Sequence, residues 1–97
     1  MDQRKHTRYS CTLVSLVGLR LARVVNVSRG GLALRAGEKF EPAPQLIVKR
    51  RDGQQFGPVD VRIVHAIEER NGTWTMGAEF VHELSENLVQ FILSGQA

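Results

Sequence analysis

The chain has 97 residues, 42% of them hydrophobic and 24% charged, with a formal net charge of +3 at pH 7, which predicts one soluble domain with one hydrophobic core. Its one cysteine, Cys11, excludes an internal disulfide and favours a reducing compartment, where we expect the thiol to serve as inert packing. The longest apolar run, CTLVSLVGL, is too short to cross a bilayer, and the polar start MDQRKHTR lacks the apolar core of a secretory signal, so we expect a cytoplasmic protein without membrane insertion.

The first half of the chain predicts an arm followed by three strands. Residues 1–8 are polar and without periodicity, which is typical of a mobile N-terminal arm. Alternating or mostly apolar runs then predict strands in YSCTLVSLV (9–17), LRLARVVNV (19–27) and GLALRA (31–36), with Gly18 as the first turn.

The second half begins with a loop, because Pro42 and Pro44 interrupt the pattern. QLIVKR (45–50) predicts a strand and DGQQFGP (52–58) a glycine-rich turn. VDVRIVHAIEE (59–69) predicts a long strand whose alternation slips near Val64, which indicates a bulge or bend. Asn71 and Gly72 give the strongest hairpin signal, before a last strand in TWTMGAEFV (73–81).

The tail is the one segment that predicts a helix, over residues 84–94. Ser85 is its expected N-cap, and Leu88, Phe91 and Ile92 follow at helical spacing. Six short strands favour a small antiparallel closed barrel over residues 9–82, because closure removes exposed strand edges. We therefore predict an all-β domain whose helix covers one open end of the barrel.

The sequence carries no recognisable catalytic or metal-binding pattern. His6, His65 and His82 are scattered, and none has metal-ligand spacing with Cys11. No phosphate-binding loop or dinucleotide fingerprint is present, and His65 fits a core or edge position of its strand. We expect a protein that is not an enzyme and has neither a metal nor a cofactor.

Two short polar clusters, RKHTR (4–8) and NVSRGG (26–31), are the candidate functional elements. Arginine carries a planar fork of donors that pairs with phosphate or with the edge of guanine, which suits Arg4 and Arg8 to an anionic purine ligand. Asn26 and Ser28 have the same parity and share one face of a strand, while Val27 points to the core. Taken singly, the two clusters are better explained as a solvated basic tail and a self-bonded polar turn.

Taken together, the pattern Arg-x-x-x-Arg followed by Asn-x-Ser-x-x-Gly resembles the PilZ family, bacterial receptor domains for cyclic di-GMP. The segments GLALRA, MGAEFV and LVQFIL fall where such domains carry a strand, a closing strand and a helix, so the resemblance covers essentially residues 1–97. It implies a six-stranded PilZ-type barrel with a C-terminal helix and an N-terminal loop that clamps the ligand.

The resemblance also implies a role for each matching residue. Arg4 and Arg8 would bind guanine edges and phosphates, Asn26 and Ser28 would meet a guanine and the phosphate backbone, and Gly31 would keep the surface open to the ligand. Further possible contacts are Lys5, Arg29, Gly30, Arg35 and Trp74, with solvated charge or core packing as the alternatives.

The leading hypothesis is therefore a non-catalytic cyclic di-GMP receptor, which binds one or two ligand molecules and signals to a downstream protein. One alternative is an adaptor of the same fold that binds a protein but no nucleotide. Another is a single-strand nucleic-acid binder, which needs several exposed aromatic side chains for base stacking. With four Phe, one Trp and one Tyr in the chain, that supply is small, and we expect no DNA or RNA partner.

Overall fold

A computed structural model describes residues 6–94 of the chain. Its strands are antiparallel and close into a barrel in the order β1-β2-β3-β6-β5-β4. The elements are β1 Tyr9–Val17, β2 Arg20–Val27, β3 Gly31–Ala36, β4 Gln45–Lys49, β5 Gln55–Glu68, β6 Trp74–Phe80 and α1 Glu86–Ser94. The predicted all-β barrel of six antiparallel strands with a C-terminal helix is confirmed. Residues 1–5 of the predicted arm lie outside the described residues.

One hydrophobic core joins the barrel and the helix. Alternate residues of the strands point inward, and Val24, Leu34 and Met76 are fully buried. Val89 and Ile92 of α1 are fully buried in the same cluster. Burying each such side chain contributes about 1.5–3 kcal/mol, so the helix is held mainly by its apolar face.

A buried arginine fixes the C-terminal end of α1 to the β4–β5 turn. The side chain of Arg50 is only 8% exposed, and its guanidinium lies 4.1 Å from the centre of the Phe91 ring. It donates hydrogen bonds to Ser94 Oγ at 2.9 Å and Gln54 Oε1 at 2.8 Å, and it pairs with Asp52 at 3.0 Å. Arg50 therefore has a structural role.

The turn predicted over residues 52–58 is wrong from Gln55 onward, where β5 already begins. The tight turn spans residues 50–54, closed by the hydrogen bond from Arg50 N to Gln54 O. Gly57 and Pro58 form a bulge in which two residues of β5 lie opposite one residue of β4, since Phe56 pairs with Val48 and Val59 pairs with Leu46. A bulge accepts a proline because it leaves the ladder unpaired, and Gly57 has the positive φ of 117° that favours glycine.

Two further bulges orient the outer surface of the barrel. The register of β5 and β6 shifts between Ile63 and His65, which confirms the irregularity predicted near Val64. The register of β2 and β3 shifts between Val24 and Asn26. This second shift lets the strand bury both Val24 and Val27 while Asn26 stays on the outer surface.

The local signals of the last hairpin and of the helix are also confirmed. The loop between β5 and β6 is closed by the hydrogen bond from Glu69 N to Thr73 O at 2.7 Å, with Gly72 at a φ of 85°. At the start of α1, Ser85 Oγ accepts a hydrogen bond from Leu88 N at 3.2 Å, as an N-cap does.

Candidate functional site

Side chains from both predicted clusters line one open pocket on the outer surface of the barrel. Arg8 precedes β1, Asn26 is the last but one residue of β2, and Ser28 begins the turn into β3, yet all three line the same pocket. The pocket extends over β3 and β6 to His65 on β5 and has a volume of about 890 Å³. That volume lies within the range of small-molecule sites. The pairing of β1 with β2, which sets Ser10 opposite Asn26, brings the two clusters together.

The turn Ser28–Gly31 is stabilised by its own serine. Ser28 N donates to Gly31 O at 2.8 Å, Ser28 Oγ donates to the same carbonyl at 3.3 Å, and Gly30 N donates to Ser28 Oγ at 3.3 Å. Ser28 is 8% exposed. The self-bonded polar turn is therefore present, and it lies in the pocket wall beside Asn26, so the serine shapes the surface that a ligand would meet.

Gly31 is required by the packing of β3 against β6. A Cβ at this position would lie 2.1 Å from the carbonyl oxygen of Ala78, because Leu32 pairs with Ala78 and Gly31 with Glu79. Such a distance is impossible for real atoms, and the obstacle is backbone. The resemblance implies that Gly31 opens the surface to a ligand; the structure supplies a second reason for glycine, the close approach of two strands.

His65 belongs to the pocket although the sequence indicated a core or edge residue. Its side chain is exposed, and a Cβ on Gly77 would lie 2.2 Å from its Cε1 atom, so the imidazole lies across the glycine. The bulge at Val64 and the missing side chain at Gly77 together put a flat ring on the pocket wall. The sequence signals for this position were the slip in alternation and the glycine on the neighbouring strand.

Glu83 is the second pocket residue that sequence reasoning missed. Its Oε2 accepts a hydrogen bond from His6 Nε2 at 2.8 Å, and its Oε1 accepts one from Arg29 Nη2 at 3.2 Å. Arg29 Nε donates to the Leu84 carbonyl at 3.1 Å, and Leu84 N donates to Arg29 O at 2.8 Å. The segment after β6 is thus bonded to residues of both clusters.

A second contact ties the start of β1 to the helix. Tyr9 Oη donates to Glu86 Oε2 at 2.8 Å. This bond to the carboxylate raises the pKa of Tyr9, while hydrogen bonds from Gln90 and Tyr9 lower the pKa of Glu86.

Cys11 on β1 is half-buried with its Sγ 3.6 Å from Val24 O, and burial raises the pKa of its thiol to about 11. A thiol with that pKa is unreactive at neutral pH.

The remaining predicted contacts lie elsewhere or border the pocket. Trp74 and Arg35 are not among the lining residues; the ring of Trp74 lies 5.9 Å from Lys39 Nζ, and Arg35 is exposed. Gly30 lines the pocket with His6 packed against it, and Arg29 borders it through Glu83. Arg4 and Lys5 lie outside the described residues.

Residues 6–94 contain neither a cluster of metal-ligating side chains nor a helix that could span a membrane. No three side chains of His, Cys, Asp or Glu in this range are grouped to hold a metal ion. Its one helix is too short to span a bilayer.

Comparison with known proteins gives a family match and a set of similar structures. The family model for the PilZ domain matches residues 2–94. No curated protein matches the chain.

Three solved structures share the fold at low sequence identity. The inhibitor of motility MotI/DgrA of Bacillus subtilis has a TM-score of 0.72 and 17% identity, over 97% of this chain and 49% of that one. YcgR of Escherichia coli in complex with c-di-GMP has a TM-score of 0.70 and 20% identity, over 97% and 44%. The separate PilZ domain of YcgR with c-di-GMP has a TM-score of 0.64 and 18% identity, over 97% and 92%. The chain thus spans about half the length of the first two proteins.

Proposed function

The chain belongs to the PilZ domain family, and from this premise we propose that it is a non-catalytic receptor for cyclic di-GMP. Two of the similar structures are of YcgR of Escherichia coli, or its PilZ domain, with this ligand. The proposed binding site is the pocket lined by Arg8, Asn26 and Ser28.

The observation that carries the proposal is the convergence of the two clusters. If the RKHTR segment and the NVSRGG turn lay on opposite sides of the barrel, they would share no site for one ligand. Here Arg8 lines the same pocket as Asn26, Ser28 and both glycines of the NVSRGG turn. The pocket is open to solvent on the barrel wall, so a ligand of two purines and two phosphates can enter without unfolding a strand.

Each proposed contact uses a different part of the ligand. Arg8, together with Arg4, supplies guanidinium forks that match phosphate oxygens and the O6/N7 edge of guanine. Asn26 supplies one acceptor oxygen for a guanine N–H and one amide donor. His65 supplies a flat ring on which a base can stack.

An isothermal titration of the folded protein with cyclic di-GMP tests the proposal. We expect saturable heat, with a stoichiometry of one or two ligands per chain, and much weaker binding of cyclic di-AMP, which lacks the guanine O6 and N2 groups. Undetectable heat at high micromolar cyclic di-GMP, with a folded protein by circular dichroism, would eliminate the receptor function.

Replacing His65 by alanine tests the stacking contact. We expect the dissociation constant to rise roughly 5-fold to 30-fold, since base stacking on an aromatic side chain is worth about 1–3 kcal/mol and an imidazole is the smallest such ring. The fold should persist, because the His65 side chain is exposed.

Gly77→Ala is the companion variant to His65→Ala. A methyl group there displaces the imidazole rather than backbone, so it should weaken binding without loss of stability, and combining it with His65→Ala should add little. Full affinity in His65→Ala would exclude stacking on this ring.

The downstream partner requires a second surface, for which the β1–β2 hairpin is the best candidate. Leu19 is 100% exposed at its tip, and Leu21 is 67% exposed beside it. A cluster of exposed apolar side chains marks a protein contact, whereas a single one is ordinary, and these two leucines lie two positions apart on one hairpin. The adaptor alternative uses the same surface. It would be favoured if a protein partner bound wild type equally well with and without cyclic di-GMP, and bound Arg8→Ala as well as wild type.

A further inference from the structure

The carboxylate of Glu83 joins the two segments that the proposed receptor uses for binding. His6 is the central residue of RKHTR, and Arg29 lies in the NVSRGG turn between Ser28 and Gly30. Both donate to Glu83, one to each carboxylate oxygen, at 2.8 Å and 3.2 Å. His6 also packs against Gly30, where a Cβ would lie 3.4 Å from its Cδ2 atom. Glu83 therefore holds the beginning of the described chain against the binding turn.

This arrangement is that of an anion bound to a pair of donors. Arg29 is fixed independently, because its Nε donates to the Leu84 carbonyl, so its Nη2 group stays aimed at the pocket wall whether or not Glu83 is engaged. A phosphate offers the same kind of paired oxygen atoms as a carboxylate. A ligand phosphate that reaches these donors would compete with Glu83 for them and would meet its negative charge as well.

We infer that Glu83 is a built-in competitor of the ligand, which occupies His6 and Arg29 and thereby lowers the affinity for cyclic di-GMP. This inference rests on the proposed function. Binding then exchanges one anion for another: the ligand phosphate takes the Arg29 fork, Glu83 swings away, and His6 is released from the turn.

A second pocket carboxylate provides a matched comparison. Glu79 lies on β6 and also lines the pocket, but the side-chain hydrogen bonds of His6 and Arg29 go to Glu83 and to the Leu84 carbonyl rather than to it. Glu79→Gln removes the same charge from the same pocket and leaves the Glu83 contacts in place. Any difference in ligand affinity between the two glutamine variants therefore reflects the contacts of Glu83 with His6 and Arg29 rather than the net charge of the pocket.

The test is a titration of wild type, Glu83→Gln and Glu79→Gln with cyclic di-GMP at the same ionic strength. We expect Glu83→Gln to lower the dissociation constant about 3-fold to 10-fold, the combined size of two partly exposed hydrogen bonds to a carboxylate, and Glu79→Gln to lower it by less than about 2-fold. A Glu83→Gln variant that binds no tighter than wild type, or equal gains in both variants, would overturn the inference.

Amide hydrogen exchange without any ligand separates this inference from the proposed function. We expect exchange at residues 6–9 to become faster in Glu83→Gln and to stay at the wild-type rate in Glu79→Gln, because only the first variant releases His6. Unchanged exchange in Glu83→Gln would overturn the inference. If none of the three proteins binds cyclic di-GMP, the receptor function fails, while the exchange data still decide whether Glu83 holds the segment.

Discussion

Replacing Arg8 by alanine is expected to weaken cyclic di-GMP binding roughly 30-fold to 150-fold, a loss of about 2–3 kcal/mol. The reason is that Arg8 supplies a planar donor fork to the pocket, and alanine leaves both a phosphate and a guanine edge without a partner. Arg8→Lys keeps the charge but not the fork, so its affinity should fall between those of wild type and Arg8→Ala. Isothermal titration of the three proteins measures the series.

Arg51→Ala is the control for this series. Arg51 is an exposed arginine in the turn between β4 and β5 and does not line the pocket, so the variant removes the same charge from the protein as Arg8→Ala. We expect wild-type affinity for it, apart from a small effect at low salt. Arg8 is itself exposed, so Arg8→Ala should melt like wild type. Equal losses in Arg8→Ala and Arg51→Ala would show that binding depends on net charge alone, which contradicts the proposed clamp.

The strands and the helix were predictable because their signals are local. Alternation of apolar residues, the Asn71–Gly72 turn and the Ser85 N-cap each act within a few residues. The start of β5 was missed because Gly57 and Pro58 have the composition of a turn. Only their partner strand β4, which accommodates them as a bulge, makes them part of a strand.

Only those site residues that belong to the two motifs could be predicted from the sequence. Arg8, Asn26 and Ser28 belong to the two polar clusters and to the motif of the resemblance, and they line one pocket; their roles in binding stay predictions. His65 and Glu83 belong to no sequence motif, because contacts between residues far apart in the sequence place each of them in the pocket. The bulge opposite Gly77 turns the imidazole outward, and the bonds from Arg29 draw the segment after β6 to the turn.

Replacing Gly31 by alanine is expected to destabilise the protein by about 2–3 kcal/mol even without ligand. The added methyl group would meet the Ala78 carbonyl at 2.1 Å, and since that obstacle is backbone, β3 must move away from β6 along the closed barrel. For a domain of this size the melting temperature should fall by roughly 10–20 °C. Thermal and denaturant unfolding without cyclic di-GMP measure the loss.

Gly37→Ala is the matched control for this last substitution. Gly37 follows β3, has no atom within 4 Å of an added Cβ and has no positive φ, so alanine there should be neutral or stabilise the fold by up to about 1 kcal/mol. If Gly31→Ala melts like wild type but no longer binds cyclic di-GMP, the glycine acts through ligand access, as the family resemblance implies. If Gly31→Ala melts at a lower temperature than wild type, the packing of β3 against β6 explains why the last residue of the motif is glycine. Loss of binding in that variant would then reflect the disturbed fold and would not measure a contact between Gly31 and the ligand.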